Sequence, residues 1–278
     1  MSEPALDYTI VSPTPFICLA YEEPLTWKHV DGEFYLLTPS NWRGTPVEPL
    51  KDRRLAARFA ALEPTREAFL TFFQPIGHPI GESQSISLEE IPRLGLSFRA
   101  SWGVLRNFQR DLKVWITCVS ALASDRRAAG DFVHPPTRNR FWTFEYRDAN
   151  CHLVRTIPRD EPAAQWLSEQ PYDERRFLAL HVFLHRILKG LMQDRFDLAP
   201  VINHSGPFEV GHPIHYRPRD LLGAILYQAI ISQRGSMRWR RCCMCGAPML
   251  GNAKRDTCSD RCRQERWRRR RAASATAS

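Results

Sequence analysis

Apolar and polar positions recur along this chain with two different periods, and the changes of period divide it into elements. In the first 40 or so residues the apolar positions form short strand-like runs (TIV, PFICLAY, and EFYLLT from Glu33) set among prolines and aromatics. From Leu50 the spacing lengthens. LKDRRLAARFAALEP places Leu55, Phe59 and Leu62 one helical turn apart and stops at Pro64. TREAFLTFF continues as a second helix to Pro75, with the Glu63-Pro64-Thr65 step as its start. GHPIGESQSIS is a loop closed by Ser87 and Glu90 at capping-box spacing. Beyond Pro92, Phe98, Trp102, Leu105, Leu112, Ile116 and Val119 recur at steps of three, four or seven, which predicts one long amphipathic helix over 97–124. An open apolar face on so long a helix would be the natural surface for a homodimer.

RAAGDFVHPPTRNR then reads as a polar loop, and FWTFEYRDANCHLVRTI as a β-hairpin turning at Asp148-Ala149-Asn150. Phe177, Leu180, Leu184, Ile187 and Leu191 predict a helix from Glu174 to Phe196. PFEV–GHPIHY is strand-like. The next helix has Pro218 at its start and Gly235 past its end, and its body, LLGAILYQAII, is apolar nearly all round and so belongs in a core. The expected fold class is α+β: a helix-dominated domain with small β-hairpins over residues 1–235, and a smaller unit over 236–278.

Charge sharpens that division. The 278 residues carry a formal charge of +9, but thirteen basic and three acidic residues fall between Arg234 and Ser278, and residues 1–233 are nearly neutral. The overall composition is that of an ordinary globular protein, which excludes wholesale disorder. No apolar stretch approaches the ~20 residues needed to cross a bilayer, and MSEPALDYTI lacks the basic start of an export signal. A cytoplasmic protein without membrane association is expected. Eight cysteines are too few for a disulfide scaffold in a chain of this length. Five of them crowd between Cys242 and Cys262, which in a reducing compartment points to metal.

Cys242 and Cys245 form a C-x2-C pair followed by Gly246, and Cys258 and Cys262 form a C-x3-C pair. Thiolates at these spacings can converge on one tetrahedral zinc ion. The first pair suits a tight knuckle. The second suits a helix start, with Ser259 as N-cap and Cys262 one turn in. The result is a treble-clef-like or ribbon-like four-cysteine finger holding one structural Zn2+. The spacing matches neither common ferredoxin pattern. Cys243, beside a ligand, is either free or an alternate ligand.

After Cys262 the chain continues RQERWRRRRAA. Arg261, Arg263, Arg266, Arg268, Arg269, Arg270 and Arg271 are spread around the whole helix, and only Trp267 and Cys262 offer it apolar packing. Mutual repulsion should fray its last turns in the absence of a partner. Arginine suits phosphate and guanine edges, so the partner expected is nucleic acid, DNA before RNA. Arg238, Arg240 and Arg241 before the knuckle, with Lys254 and Arg255 after it, would widen the same surface, with Trp267 beside it. Two other readings stand beside this one. The finger could serve protein interaction or structure alone. Alternatively, the chain could be a hydrolase or ribonuclease built on His181, His185, His204, His212 and His215, with Arg176-x4-His181 as a loose ribonuclease-like pattern. HVFLH lacks the glutamate of a metalloprotease motif, and no phosphate loop, dinucleotide motif or nucleophile elbow is present.

The segment CMCGAPM…KRDTCSDRCRQERWRRRR resembles the zinc finger of bacterial CGNR-type proteins, and RDLLGAILYQAIISQRGSMRWRRC looks like their apolar helix running into a basic strand and knuckle. FAALEPTREAFLTFFQPIG is more loosely similar to the N-terminal part of uncharacterised members. The resemblance implies zinc ligands at Cys242, Cys245, Cys258 and Cys262 and a DNA-binding, transcription-regulating role in a bacterial cytoplasm. Where the name-giving motif has Gly-Asn-Arg, this chain has Arg263-Gln264-Glu265.

Overall fold

The computed structural model describes residues 16–39, 43–79, 99–136, 141–149, 151–200, 214–232, 238–245, 248–251 and 256–276. It is a mixed helix-and-sheet protein. Every strand pairing among the described residues is antiparallel and the sheets are small, as an α+β class requires. Strands β1 (Cys18–Tyr21) and β4 (Gly44–Val47) pair, and β2 (Thr26–Val30), β3 (Glu33–Leu37) and β5 (Arg99–Ser101) form a three-stranded sheet with β3 central. The TIV run and the Ser87/Glu90 box lie outside the described residues.

Helices α1 (Leu55–Ala60) and α2 (Arg66–Phe73) follow the expected periodicity. The Thr65 hydroxyl accepts from the Ala68 N–H at 3.2 Å, capping α2. Phe59, Phe69 and Phe73 are fully buried and, with Phe72 and Phe108, form an aromatic cluster whose ring centroids lie 5.2–6.2 Å apart. At six residues α1 is too short to hold itself together. Two buried glutamines from other helices satisfy its ends. Gln228 accepts from the Ala56 N–H at 2.8 Å and donates to the Asp52 carbonyl at 2.6 Å, while Gln109 donates to the carbonyls of Ala60 and Leu62 at 3.3 and 2.9 Å.

The long helix α3 spans Trp102–Ser124, starting later than expected because 99–101 pairs with β3. Ser101 caps it by accepting from Val104 N–H, and the Glu33 carboxylate accepts from Gly103 N–H at 3.1 Å, where the helix dipole favours negative charge. Val114 through Cys118 are all buried. Five consecutive buried residues exceed one helical turn, so this stretch is covered on every side. The apolar face expected to be open is therefore covered within the chain over this stretch, and α3 forms the axis of the core. It meets α1, β3, β5 and a 3-10 segment (Arg126–Asp131) along its length.

That 3-10 segment and β6 (Val133–His134) replace the expected polar loop. β6 pairs with the hairpin β7 (Phe141–Asp148) and β8 (Cys151–Pro158), in which Trp142, Phe144 and Tyr146 alternate inward at period two. Asp148 accepts from Tyr146 at 2.9 Å and pairs with Lys113 of α3 at 2.7 Å, tying the hairpin to the axis. The apolar spacing does not announce helix α4 (Pro162–Glu169). It is two turns long and buries only Ala164 and Leu167, too few positions to establish a period. Helix α5 (Arg175–Met192) packs on α3 as its apolar stripe dictates, but it ends four residues early. Asp194 adopts φ 58°, and the chain then enters β9 (Phe196–Pro200), which pairs with β10 (Ile214–Pro218).

Pro218 therefore closes a strand, and Asp220 caps α6 (Leu221–Ile231) by accepting from the Gly223 N–H at 2.7 Å. The same carboxylate pairs with Arg195. Leu221 through Ala229 are buried all round, as the continuous apolar run requires. Gly223 sits against the Arg195 carbonyl, which is itself held by the Arg219 N–H at 2.9 Å, and a Cβ there would lie 2.5 Å from that oxygen. No described helix is long and apolar enough to cross a membrane.

Two stability measurements check this packing by urea denaturation. Gln228→Leu should cost about 1–3 kcal/mol, because it strands the buried Ala56 N–H at the start of α1 and leaves the Asp52 carbonyl with the Leu55 N–H alone. Gly223→Ala should cost about 1–3 kcal/mol, because neither the added methyl nor the anchored carbonyl has room to move.

Candidate metal centre and basic helix

Three short elements assemble the cysteine cluster. Strands β11 (Arg238–Arg241) and β12 (Pro248–Gly251) pair antiparallel, with Arg241 opposite Pro248, and the hairpin packs on α3 and α1. Cys242 leaves β11 directly and Cys245 follows at the knuckle. The Cys243 N–H donates to the Asp256 carbonyl at 2.9 Å, bringing the approach to Cys258 alongside the knuckle. Helix α7 (Asp260–Thr276) then carries Cys262, whose N–H donates to the Ser259 hydroxyl at 3.3 Å, the N-cap expected at that position.

The Sγ atoms of Cys242, Cys245, Cys258 and Cys262 all lie within 4.8 Å of one another. Cys245 and Cys258 are 3.5 Å apart, and Cys258 and Cys262 are 3.6 Å apart. A zinc–thiolate tetrahedron with bonds of about 2.3 Å has sulfur–sulfur edges of about 3.8 Å, so the spacing fits a four-coordinate ion. Cys243 is exposed and stands outside the set. Among the described residues no other group of three or more His, Cys, Asp or Glu side chains converges in this way.

The electrostatics agree with the geometry. Burial works against ionisation of Cys242, but the backbone N–H groups of Cys245, Met244 and Cys258 hydrogen-bond to its sulfur and bring the thiol down to about 6. Cys258 is pushed up to about 12 by burial and by hydrogen bonds with the thiols of Cys245 and Cys262. One sulfur is thus prepared as a thiolate while that of Cys258 resists adding more negative charge. A cation at the centre removes that resistance, and metal ligation requires the deprotonated form. With four protein thiolates the shell is closed, which suits a structural rather than a catalytic ion.

The arginines of α7 have different surroundings. Arg266 is half-buried and pairs with Asp256, binding the helix to the segment before Cys258. Arg263 pairs with Asp260 at 3.0 Å, and Glu265 lies between Arg268 at 3.7 Å and Arg269 at 3.1 Å. The Arg271 guanidinium stacks 4.0 Å from the Trp267 ring. These contacts at helical spacing offset part of the repulsion, and the helix runs to Thr276, past the turns where fraying was expected. Trp267 is 55% exposed, so it gives the helix no core contact. Arg261, Arg268, Arg269, Arg270 and Arg271 are exposed along the same helix. Arg238 and Arg240 stand in register with Gly251 and Met249, while Lys254 and Arg255 lie outside the described residues. In the sequence Asp256 is only one of three acidic residues among thirteen basic ones. Its role depends on a hairpin fold-back that no local pattern announces.

Among the described residues no histidine joins a group able to hold a metal. His181 and His185 are exposed on α5, with the His181 ring 4.4 Å from Phe177, and His215 lies on β10 opposite Ala199. His204 and His212 lie outside the described residues. No family model, curated protein or solved structure matches this chain.

Metal analysis of the purified full chain should give about one ion per chain. Cys258→Ser, which removes the thiol lying within 3.6 Å of two others, should lose most of it.

Proposed function

We propose that the four cysteines hold one structural zinc ion and that the chain is a nucleic-acid-binding protein, DNA favoured over RNA, acting as a transcriptional regulator in the manner that the CGNR-type resemblance implies. One observation supports this most directly: the four sulfurs converge at the start of a helix whose exposed faces carry arginines. A tetrahedral thiolate set with these spacings selects zinc, and iron would betray itself by a visible chromophore. The ion fixes the first turn of α7 to the knuckle, and Arg266–Asp256 fixes the second. The arginines beyond are thereby held on a rigid element at the surface, with guanidinium groups suited to phosphate oxygens and guanine edges. Arg268 and Arg269 meet Glu265 in exposed ion pairs, which contribute little and exchange readily for phosphate.

Arg266 is set apart in this reading. It supports the contact surface through Asp256, whereas Arg268, Arg269, Arg270 and Arg271 make the contact. A titration of the full chain against duplex DNA at several salt concentrations tests this. Replacing the last four by Gln should flatten the slope of log K against log salt by about 3.6, at about 0.9 per phosphate. An unchanged slope would falsify the assignment of α7 as the nucleic-acid contact.

A further inference from the structure

A second site lies at the opposite end of the hairpin sheet from Asp148, far in sequence from the cysteines. The ends of β6, β7 and β8, helix α4 and the first turn of α5 enclose a cavity of about 700 Å³, inside the range of about 300–1,000 Å³ typical of small-molecule sites. Trp142 of β7, only 5% exposed, presents part of its ring to the wall, and Tyr172 stands at the rim with 80% of its surface in solvent. Arg159, Arg175 and Arg176 line the same space with Asp173, a net excess of two positive charges.

The three arginines are not equivalent. Arg175 donates from Nε to the Gln170 carbonyl at 2.8 Å and from Nη2 to the Ser168 carbonyl at 2.7 Å, closing the C-terminal end of α4 and fixing the wall. Arg159 and Arg176 are exposed and meet no carboxylate among the described residues, although Asp173 lines the same cavity. In addition, no side chain caps the first turn of α5, which carries Arg176. Two uncommitted guanidinium groups beside an uncapped helix start make an anion-binding end. Trp142 and Tyr172 make the apolar, flat-faced part.

We infer that this cavity binds a small organic anion, an aromatic or flat apolar body bearing a carboxylate or phosphate, with Arg159 and Arg176 on the oxyanion and the ring against Trp142 and Tyr172. The inference is independent of the metal centre and of nucleic-acid binding. Isothermal titration calorimetry of the full chain with phenyl phosphate, benzoate and benzamide tests it. At least one of the two anions should bind, and which one binds more tightly identifies the oxyanion. Benzamide, with the same ring and no charge, should bind at least about ten-fold more weakly. The double variant Arg159→Gln/Arg176→Gln should weaken the anion by about ten-fold or more, and because both side chains are exposed its circular dichroism spectrum should match that of the parent. Arg106→Gln, on a separate surface of α3, should leave the affinity unchanged. The proposal fails if neither anion binds, if benzamide binds as tightly, or if the double variant retains the parent affinity.

Discussion

Helix α3, buried around its whole circumference from Val114 to Cys118, is the element on which the others depend. The described sheets have only two or three strands each, too few to bury a core between them. They become stable by packing on a common axis, and a helix of about 35 Å provides it. β3 and β5 meet its beginning, the hairpin β7–β8 is tied to it through Lys113 and Asp148, and α1 is held against it by Gln109. The β11–β12 hairpin that carries the first cysteine pair packs on it as well. A helix with an apolar stripe on one side alone could not serve so many neighbours. The unbroken buried run from Val114 to Cys118 is what allows it.

Several polar groups inside this arrangement are matched rather than avoided, although the Thr117 hydroxyl of α3 has no hydrogen-bond partner among the described residues. Gln109 and Gln228 close the ends of α1, Asp220 serves both as cap and as the partner of Arg195, and His78 meets the Leu36 carbonyl at 2.9 Å while almost fully buried. Each of these contacts spans more of the sequence than any local motif, apart from the Asp220 cap itself. They make the packing specific, because an alternative arrangement of the same apolar faces would leave the same groups unpaired in the interior.

The C-terminal region is governed by a different balance. From Arg263 to Arg271 seven of the nine residues are charged, and the one large aromatic among them is exposed. Apolar burial therefore cannot orient it. Convergent sulfur and the Arg266–Asp256 pair do so instead. Arg268 to Arg271 remain on the surface because nothing draws them inward.

Elements with a sustained period were legible in the sequence: α2 from its Glu63-Pro64-Thr65 start, α3, α5, the all-round apolar α6, and the hairpin β7–β8. The four metal-ligand candidates were legible too, because ligand spacing is a local property. Elements that depend on distant partners were not. Helix α4 is too short to show a period, β9 replaces the end of a helix once Asp194 turns the backbone, and Pro218 closes a strand because β9 is there to pair with it. The sequence alone determined which residues are apolar, at what period, and where thiols and charge concentrate, since those are properties of neighbours along the chain. Only the tertiary structure decided that the long amphipathic helix is enclosed, that Arg266 turns back to Asp256, and that Arg159, Arg176 and Trp142 share one cavity. Those outcomes depend on which surfaces exclude water together, and residues far apart in sequence settle that jointly.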